Sequence, residues 1–569
     1  MLTKFSIKNN VLTLSILVVL ILSGISVFDS MPRDDMPPFL IRYMSVVTSY
    51  PGASPERIEN LISDKIEKVV QEVPEVDYIT SESRTGISIV SISLKESIFE
   101  LQPVFDRLRR KIESIQSDLP DGAVVNIDDE VGDVFGIIVG LTADGYSDAE
   151  IKEIADDIRD ELIKLPQAAK VEINGVQKEK IYVEFNDAKF ADIGLTKAKL
   201  NDLISKTNII IPGGEIKVGD QRIILEPTGN FENINDIENI IISSIGGRVL
   251  RLKDVAHVRR GYEEPQKRLV RINGNPGVSI AVNLKKEGNI INLGRQVDQK
   301  IEQLKQVYPY GVEFERIASQ DFIVEKSVND FLGNLIQAVA VVLFVMLVFL
   351  GIRTGAIVAS LIPTAIVLTL LLMSVSGTGL NQVTLASLII ALGMLVDNAI
   401  VMSESIMVKM ENGQKAYDSA IESAKELSLP LLTSSITTSA AFMAFFLAES
   451  VMGEIMGNIF VVVSFALLGS WLLTLTIIAL FCVQGLKVKK NIQQKPGLFE
   501  RFSKYYRKAL VFCLRRPSIT VISVLLVFGC SLFLFRYVPF IFMPKSDKAI
   551  VTLNFELPIG TAIEKTGKS

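Results

Sequence analysis

The chain has 569 residues, 49% hydrophobic and 22% charged, with 59 Lys and Arg against 64 Asp and Glu. Collagen-like and disordered classes are excluded, and so is a single ordinary domain. Residues 1–29 carry a net charge of +1, residues 30–330 of −13 and residues 331–569 of +7, so an acidic polar block stands between two apolar, slightly basic ones. The concentrated basic surface of a nucleic-acid-binding protein is missing. Cys482, Cys513 and Cys530 lie in or beside apolar segments, and the lone His257 has no second His or Cys nearby. No disulfide framework, zinc-type site or cofactor is expected, and His257 reads as structural.

The first run long enough to cross a bilayer, which takes about 20 residues, covers 11–28 behind Lys4 and Lys8. It is long for a signal-peptide core and has no A-x-A site, so it reads as a retained anchor. From 40 to 130 the periodicity gives strand, helix, strand, strand, helix, strand. Residues 41–50 alternate, and Ser54 and Pro55 are placed to cap and open a helix. Residues 78–83 and 87–94 pair around a turn, 101–119 forms a helix, and 124–127 closes a split, ferredoxin-like βαββαβ order. The order begins again with a strand at 134–141, a helix at 147–165 and a strand at 170–173. It resumes near 269–285, 290–307 and 312–314, so an insert at 185–262 divides the second unit. That insert has a helix at 197–205 and strands at 222–225 and 248–252.

Beyond 330 the uncharged runs return. Residues 335–352 form one, and 354–396 form a longer one, broken by the turn-like SGTGLN at 376–381. The longer run fits two helices, 356–375 and 383–403, and 427–448, 455–486 and 517–535 bring the expected spans to seven. Lys4, Lys8, Arg353, Lys409, Lys415, Lys425 and the ten basic residues from 487 to 516 fall on one side, while the short loops 376–381 and 449–454 carry none. Basic residues stay cytoplasmic, which puts the N-terminus inside and residues 30–330 in a bacterial periplasm. Residues 498–514 interleave Phe499, Phe502, Tyr505 and Tyr506 with Arg501, Lys504, Arg507 and Lys508. This pattern suits a helix lying on anionic membrane lipids at the inner leaflet.

The chain also resembles itself. Met31-Pro32-Arg33-Asp34-Asp35 returns as Met543-Pro544-Lys545-Ser546-Asp547, each after a span that follows a basic stretch, and Pro51-Gly52-Ala53-Ser54 is echoed by Pro558-Ile559-Gly560-Thr561. The expectation is a second copy entered for about 26 residues, in a protein of roughly a thousand built from two parallel repeats, as many transporters are.

The fourth span reads LIIALGMLVDNAIVMSESI and places Asp397 inside an apolar helix, where a charge costs at least about 2.5–3.5 kcal/mol. Such a group suits the uptake and release of a proton. Gly393 and Glu404 lie four before and seven after it on the same face, and Asn398 lies on the adjacent one. A glycine there lets a neighbouring helix approach closely. Ser434, Ser435, Thr437, Thr438 and Ser439 cluster in the fifth span, where bonding back to their own helix is expected over bonding across helices.

The segment from Gly393 to Val401, GMLVDNAIV, with Glu404 after it, resembles the fourth-helix motif of resistance-nodulation-division (RND) efflux permeases. Pro51-Gly52-Ala53-Ser54-Pro55-Glu56 resembles the start of the same family's first periplasmic helix. The resemblance implies a polytopic α-helical membrane protein with an α/β periplasmic domain. It divides the chain into a first span (1–29), porter subdomain 1 (30–132), porter subdomain 2 (133–184 and 263–330) around a docking insert (185–262), spans two to six (331–486), a cytoplasmic linker (487–516), a seventh span (517–538) and the start of a second periplasmic repeat (539–569). It further implies a homotrimeric inner-membrane antiporter that exchanges protons for small-molecule substrates and works with a periplasmic adaptor protein and an outer-membrane channel protein.

Asp397 would be the main relay group, with Asn398 and Glu404 weaker candidates and Gly393 packing beside the relay. Many multidrug members carry two adjacent aspartates, so here only the first can carry a proton. Heavy-metal members usually place Gly or Ala after the retained Asp, and Asn398 therefore leans towards organic substrates. Phe135 matches an aromatic position of the multidrug pocket, whereas Asn174 stands where an aromatic is common. The docking hairpin near 212–227 is short. The family's tenth-helix lysine, partner of the relay carboxylate, lies outside these residues, so this polypeptide alone is not expected to transport. A heavy-metal or lipid exporter of the same superfamily, or a membrane-anchored periplasmic binding or assembly protein, stays open as an alternative.

Overall fold

The computed structural model describes residues 2–130, 134–187, 190, 195–207, 215–218, 221–224, 231–245, 248–266, 268–308, 310–349, 351–486 and 498–539, with scattered positions from 551 onward. The repeated motif at 543–547 and the ends of the 212–227 hairpin lie outside them. The chain divides into two compact units: Met1–Asp133 with Glu287–Ile291 and Gln320–Asn554, and Val134–Lys286 with Asn292–Ser319 and Phe555–Ser569.

The first unit opens with α1 (Leu2–Lys8) and α2 (Asn10–Ser30) and continues through β1 (Tyr43–Ser49), α3 (Pro55–Ile58), α4 (Asp64–Gln71), β2 (Val76–Arg84), β3 (Ile87–Leu94), α5 (Gln102–Ser114) and β4 (Val124–Asp128). Ser54 caps α3 by accepting from the Arg57 amide, with Pro55 at the first helical position, where its missing N–H is not needed. The sheet is antiparallel in the order β2-β3-β1-β4, as a split βαββαβ unit requires. Alternation on β1 and β3 buries Met44, Val46, Val90 and Ile92 against Ile58, Ile62, Ile66, Leu108 and Ile112 of the helices. Each such side chain contributes about 1.5–3 kcal/mol.

The second unit contains β5 (Ile137–Ala143), α6 (Asp148–Leu162), β6 (Ala168–Asn174), β7 (Glu179–Phe185), α7 (Lys197–Thr207), β8 (Glu215–Val218), β9 (Gln221–Ile224), α8 (Ile234–Glu238), β10 (Ile241–Ile245), β11 (Arg248–Arg251), β12 (Ala256–Tyr262) and β13 (Val278–Leu284). Then come α9 (Ile290–Val307), whose first two residues belong to the first unit, and β14 (Val312–Ser319). The sheet order is β14-β5-β13-β6, the same topology as the first sheet. Between β6 and β13, β7 and β12 form an antiparallel stem from Glu179↔Tyr262 to Phe185↔Ala256. The excursion has its own core of Phe190, Leu195, Leu200, Ile237, Leu252 and Val258.

The first unit resumes with α10 (Gln320–Phe349), α11 (Ile352–Val375), α12 (Gln382–Glu411), α13 (Ala416–Leu447), α14 (Val451–Leu473), a π turn over Thr474–Ile478, α15 (Ala479–Gly485), α16 (Leu498–Arg515) and α17 (Pro517–Phe535). Among the described residues seven helices are long and apolar enough to cross a membrane: α2, α10, α11, α12, α13, the continuous Val451–Gly485 and α17. The chain is thus a polytopic helical membrane protein that also carries α/β sheets. Residues of α11, α12 and α14 make up most of its apolar core. The π turn leaves carbonyls to outside donors: Thr3 Oγ1 of α1 donates to Leu475 O at 2.7 Å and Ser6 Oγ to Thr476 O at 3.1 Å. Those bonds hold α1 against the π turn.

Candidate proton-relay site

Helix α12 begins sharply. Asn381 and Thr384 form a reciprocal capping box, with Asn381 Oδ1 accepting from the Thr384 amide at 3.0 Å and Thr384 Oγ1 accepting from the Asn381 amide at 2.9 Å. Two otherwise orphaned donors are satisfied there. Leu385, Leu388, Ala391, Leu395, Val396, Ala399, Met402 and Ile406 then face the bundle core. Ala386, Ile390, Gly393, Asp397, Val401 and Glu404 recur at intervals of three and four on the other side and are exposed.

Gly393, Asp397 and Glu404 therefore share one uncovered stripe. A Cβ added at Gly393 would meet no heavy atom within 4 Å, so the groove that a glycine opens beside Asp397 is intact. Asp397 and Glu404 have no hydrogen-bond or ion-pair partner among the described residues. At the far end of the helix, Lys409 Nζ pairs with Glu426 at 2.8 Å and Glu422 at 3.6 Å.

Asn398 is placed differently. It is buried, and its Nδ2 approaches Ser435 Oγ of α13 at 3.5 Å and Ser470 Oγ of α14 at 3.4 Å. Ser470 Oγ in turn donates to Leu395 O at 2.9 Å. Ser439 and Ser464 also share a hydrogen bond across α13 and α14. A polar seam thus fastens three helices behind the relay face, and the structure does not bring Asn398 together with Asp397. The hydroxyl cluster of the fifth span divides accordingly: Thr437 bonds back to its own helix, as does Thr433 beside the cluster, whereas Ser435 and Ser439 reach across. Ser464 and Ser470 gave no sequence signal beyond their spacing of about one and a half turns.

Phe135, half-buried, stands two residues ahead of β5. Asn174 ends β6, where its Oδ1 accepts from Arg268 Nη1 at 2.9 Å. The described residues contain no cluster of His, Cys, Asp or Glu able to hold a metal ion.

The chain matches the AcrB/AcrD/AcrF family over residues 2–569. The seven apolar helices, the sheet-built portion and the family together describe a multi-pass protein of the bacterial inner membrane with periplasmic parts, a transporter and not an enzyme. This chain belongs to the AcrB/AcrD/AcrF family, the RND efflux permeases.

Proposed function

We propose that this permease exports organic substrates, drugs, detergents and other hydrophobic compounds, in exchange for protons, with Asp397 as the group that takes up and releases the proton. The observation that carries the reading is the stripe on α12: one carboxylate, beside a glycine groove, on a face that no described helix covers. The stripe and the sequence repeat support a second-repeat helix that packs here and brings a basic partner for Asp397. Glu404, one face and two turns further along, extends the path towards the cytoplasm, while Asn398 serves the packing of α12. Phe135 is proposed to line the substrate pocket, residues 30–132 and the two parts of 133–330 to be the porter subdomains, and the insert at 185–262 to dock neighbouring subunits. The working assembly is then a homotrimer that joins a periplasmic adaptor and an outer-membrane channel, the partners typical of the family.

The test is Asp397→Asn in the full-length protein. Loss of proton-driven dye export from energised vesicles, with normal membrane levels and trimer formation, is expected. Export at the unmodified rate overturns the antiport reading. A panel of dyes, detergents, divalent metals and lipids given to the same vesicles separates organic efflux from the metal- and lipid-exporting alternatives.

A further inference from the structure

The motif Met31-Pro32-Arg33-Asp34-Asp35 is bonded to the ends of several of the first unit's helices. Met31 leaves α2 and is 1% exposed in the membrane core cluster. Arg33 then lies as a short parallel bridge between Asn289 on one side and Leu380 on the other. Towards the first neighbour, the Arg33 amide donates to Gly288 O at 3.1 Å, and Ile290 N, at the first residue of α9, donates to Arg33 O at 2.9 Å. Towards the second, Leu380 N donates to Pro32 O at 2.8 Å, Asp34 N to Leu380 O at 3.1 Å and Gln382 N, at the first residue of α12, to Asp35 O at 3.2 Å.

Side chains close the same junction. Gln382 Nε2 donates to Asp35 Oδ1 at 2.6 Å, Gln320 Nε2, at the first residue of α10, to Asp34 Oδ1 at 3.1 Å, and Asn289 Nδ2 to Met31 O at 3.4 Å. Arg33 Nη2 donates back to Phe28 O at 2.7 Å, with its guanidinium over the Phe28 ring. A Cβ at Gly379 would come to 3.0 Å from Pro32 O, so the glycine permits the close approach. Burial raises the Asp34 carboxyl above its ordinary range, and the Asp35 charge adds to the rise. Met31 and Asp35 are buried, Pro32 and Arg33 half-buried, and Asp34 is exposed.

Five residues thus tie the end of α2 to the starts of α9, α10 and α12. Backbone bonds in both directions make a stiff connection, because no side-chain rotamer has to hold it. The relay helix α12 enters the junction at Gln382, fifteen residues before Asp397. Helix α9 leaves it at Ile290 and runs on into the second α/β unit.

We propose that residues 31–35 are a coupling clasp that transmits displacement of the relay helix α12 to helix α9, and so turns proton uptake into movement of the substrate-handling portion. The inference rests on the antiport reading above. The clasp acts by staying closed: it passes on a shift and does not open. Asp35, Gln382 and Asn289 are positioning residues, remote from the transported proton and substrate.

The experiment uses the full-length protein in energised vesicles. Gln382→Ala and Asp35→Ala are expected to lower maximal export about fivefold or more, the low end of measured couplings between sites, with half-saturating substrate unchanged. The exchanged pair Asp35→Gln with Gln382→Asp is expected to recover at least half of the lost rate, which a general folding lesion would not do. Single variants that export at the unmodified rate, or an exchanged pair no better than the singles, would each overturn the clasp. Asp397→Asn run alongside keeps the two readings apart. Export that survives it sinks the antiport mechanism, while its loss beside unaffected clasp variants sinks the clasp alone.

Discussion

Asp397 and Asn398 are consecutive in the chain and differ by one heavy atom, yet α12 sends them to different surroundings. A step of about 100° along a helix is enough to leave the carboxylate on the open stripe and bury the amide against Ser435 and Ser470. A carboxylate at 398 would have lacked a cation there, whereas an amide can donate to two hydroxyls. The two positions therefore respond differently to substitution. Asn398→Ala removes two long interhelical hydrogen bonds, each worth about 0.6 kcal/mol on the average for membrane helices. It is expected to lower the thermal midpoint of the detergent-purified protein by a few degrees while proton-driven export persists. Export lost in Asn398→Ala at an unchanged midpoint would move Asn398 from packing into the relay.

At the scale of elements, the spans were legible because a hydrocarbon core tolerates few charges, and uncharged length can be read directly. Helix length could not be read the same way. The uncharged pattern closes the fourth span at 403 and opens the fifth at 427, whereas α12 runs to Glu411 and α13 begins at Ala416. A helix leaving the membrane need not stop, since Lys409 can bridge to Glu422 and Glu426 across the turn. Similarly, α10 starts at Gln320, directly after β14 and well ahead of its apolar run. Both split α/β sheets follow from alternation and order, because a buried face every second residue leaves few registers. In the second unit the helices are also clipped to one another. Glu161 of α6 accepts from Lys164 at 2.6 Å and from Lys300 of α9 at 2.9 Å. Those hydrogen bonds, reinforced by the two positive charges, hold its carboxyl down to about 2. A lowered folded value means that the clip stabilises above the ordinary carboxylate range, near 4.5, and fades as pH falls from there through about 2. Glu161→Gln is therefore expected to narrow the difference in thermal midpoint between pH 7 and pH 3. The half-exposed position makes the change small, and an identical pH profile for the variant and the unmodified protein would dismiss the clip.

Across the whole first unit, what the sequence could not disclose is which distant segments meet. The relay face was readable, since Gly393, Asp397 and Glu404 share one helix; their lack of cover was not, because cover depends on where other helices lie. The same holds for Arg42 and Glu454, separated by more than 400 positions and unremarkable in their local stretches. Arg42, just ahead of β1, is 4% exposed in its side chain and Glu454, in the first turn of α14, 16%. They form an ion pair while Arg42 Nε donates to Ile98 O at 2.8 Å and Leu40 N donates to the second carboxylate oxygen at 2.8 Å. The guanidinium also lies over Phe99. This network joins a helix of the membrane bundle to the first strand of the α/β sheet, so its loss is felt in both. Burying two charges is repaid only when both are present, and removal of one partner is costlier than removal of both. Glu454→Ala leaves the guanidinium unpaired and the Leu40 amide without its acceptor, an expected loss of about 3 kcal/mol. Glu454→Gln keeps an acceptor for Leu40 and is expected to lose less. Arg42→Met combined with Glu454→Leu is expected to be milder than the sum of its single variants. Thermal unfolding of the four proteins in one detergent decides the point: strict additivity would mean that the two side chains stabilise the unit independently and that the pair does not join sheet to bundle.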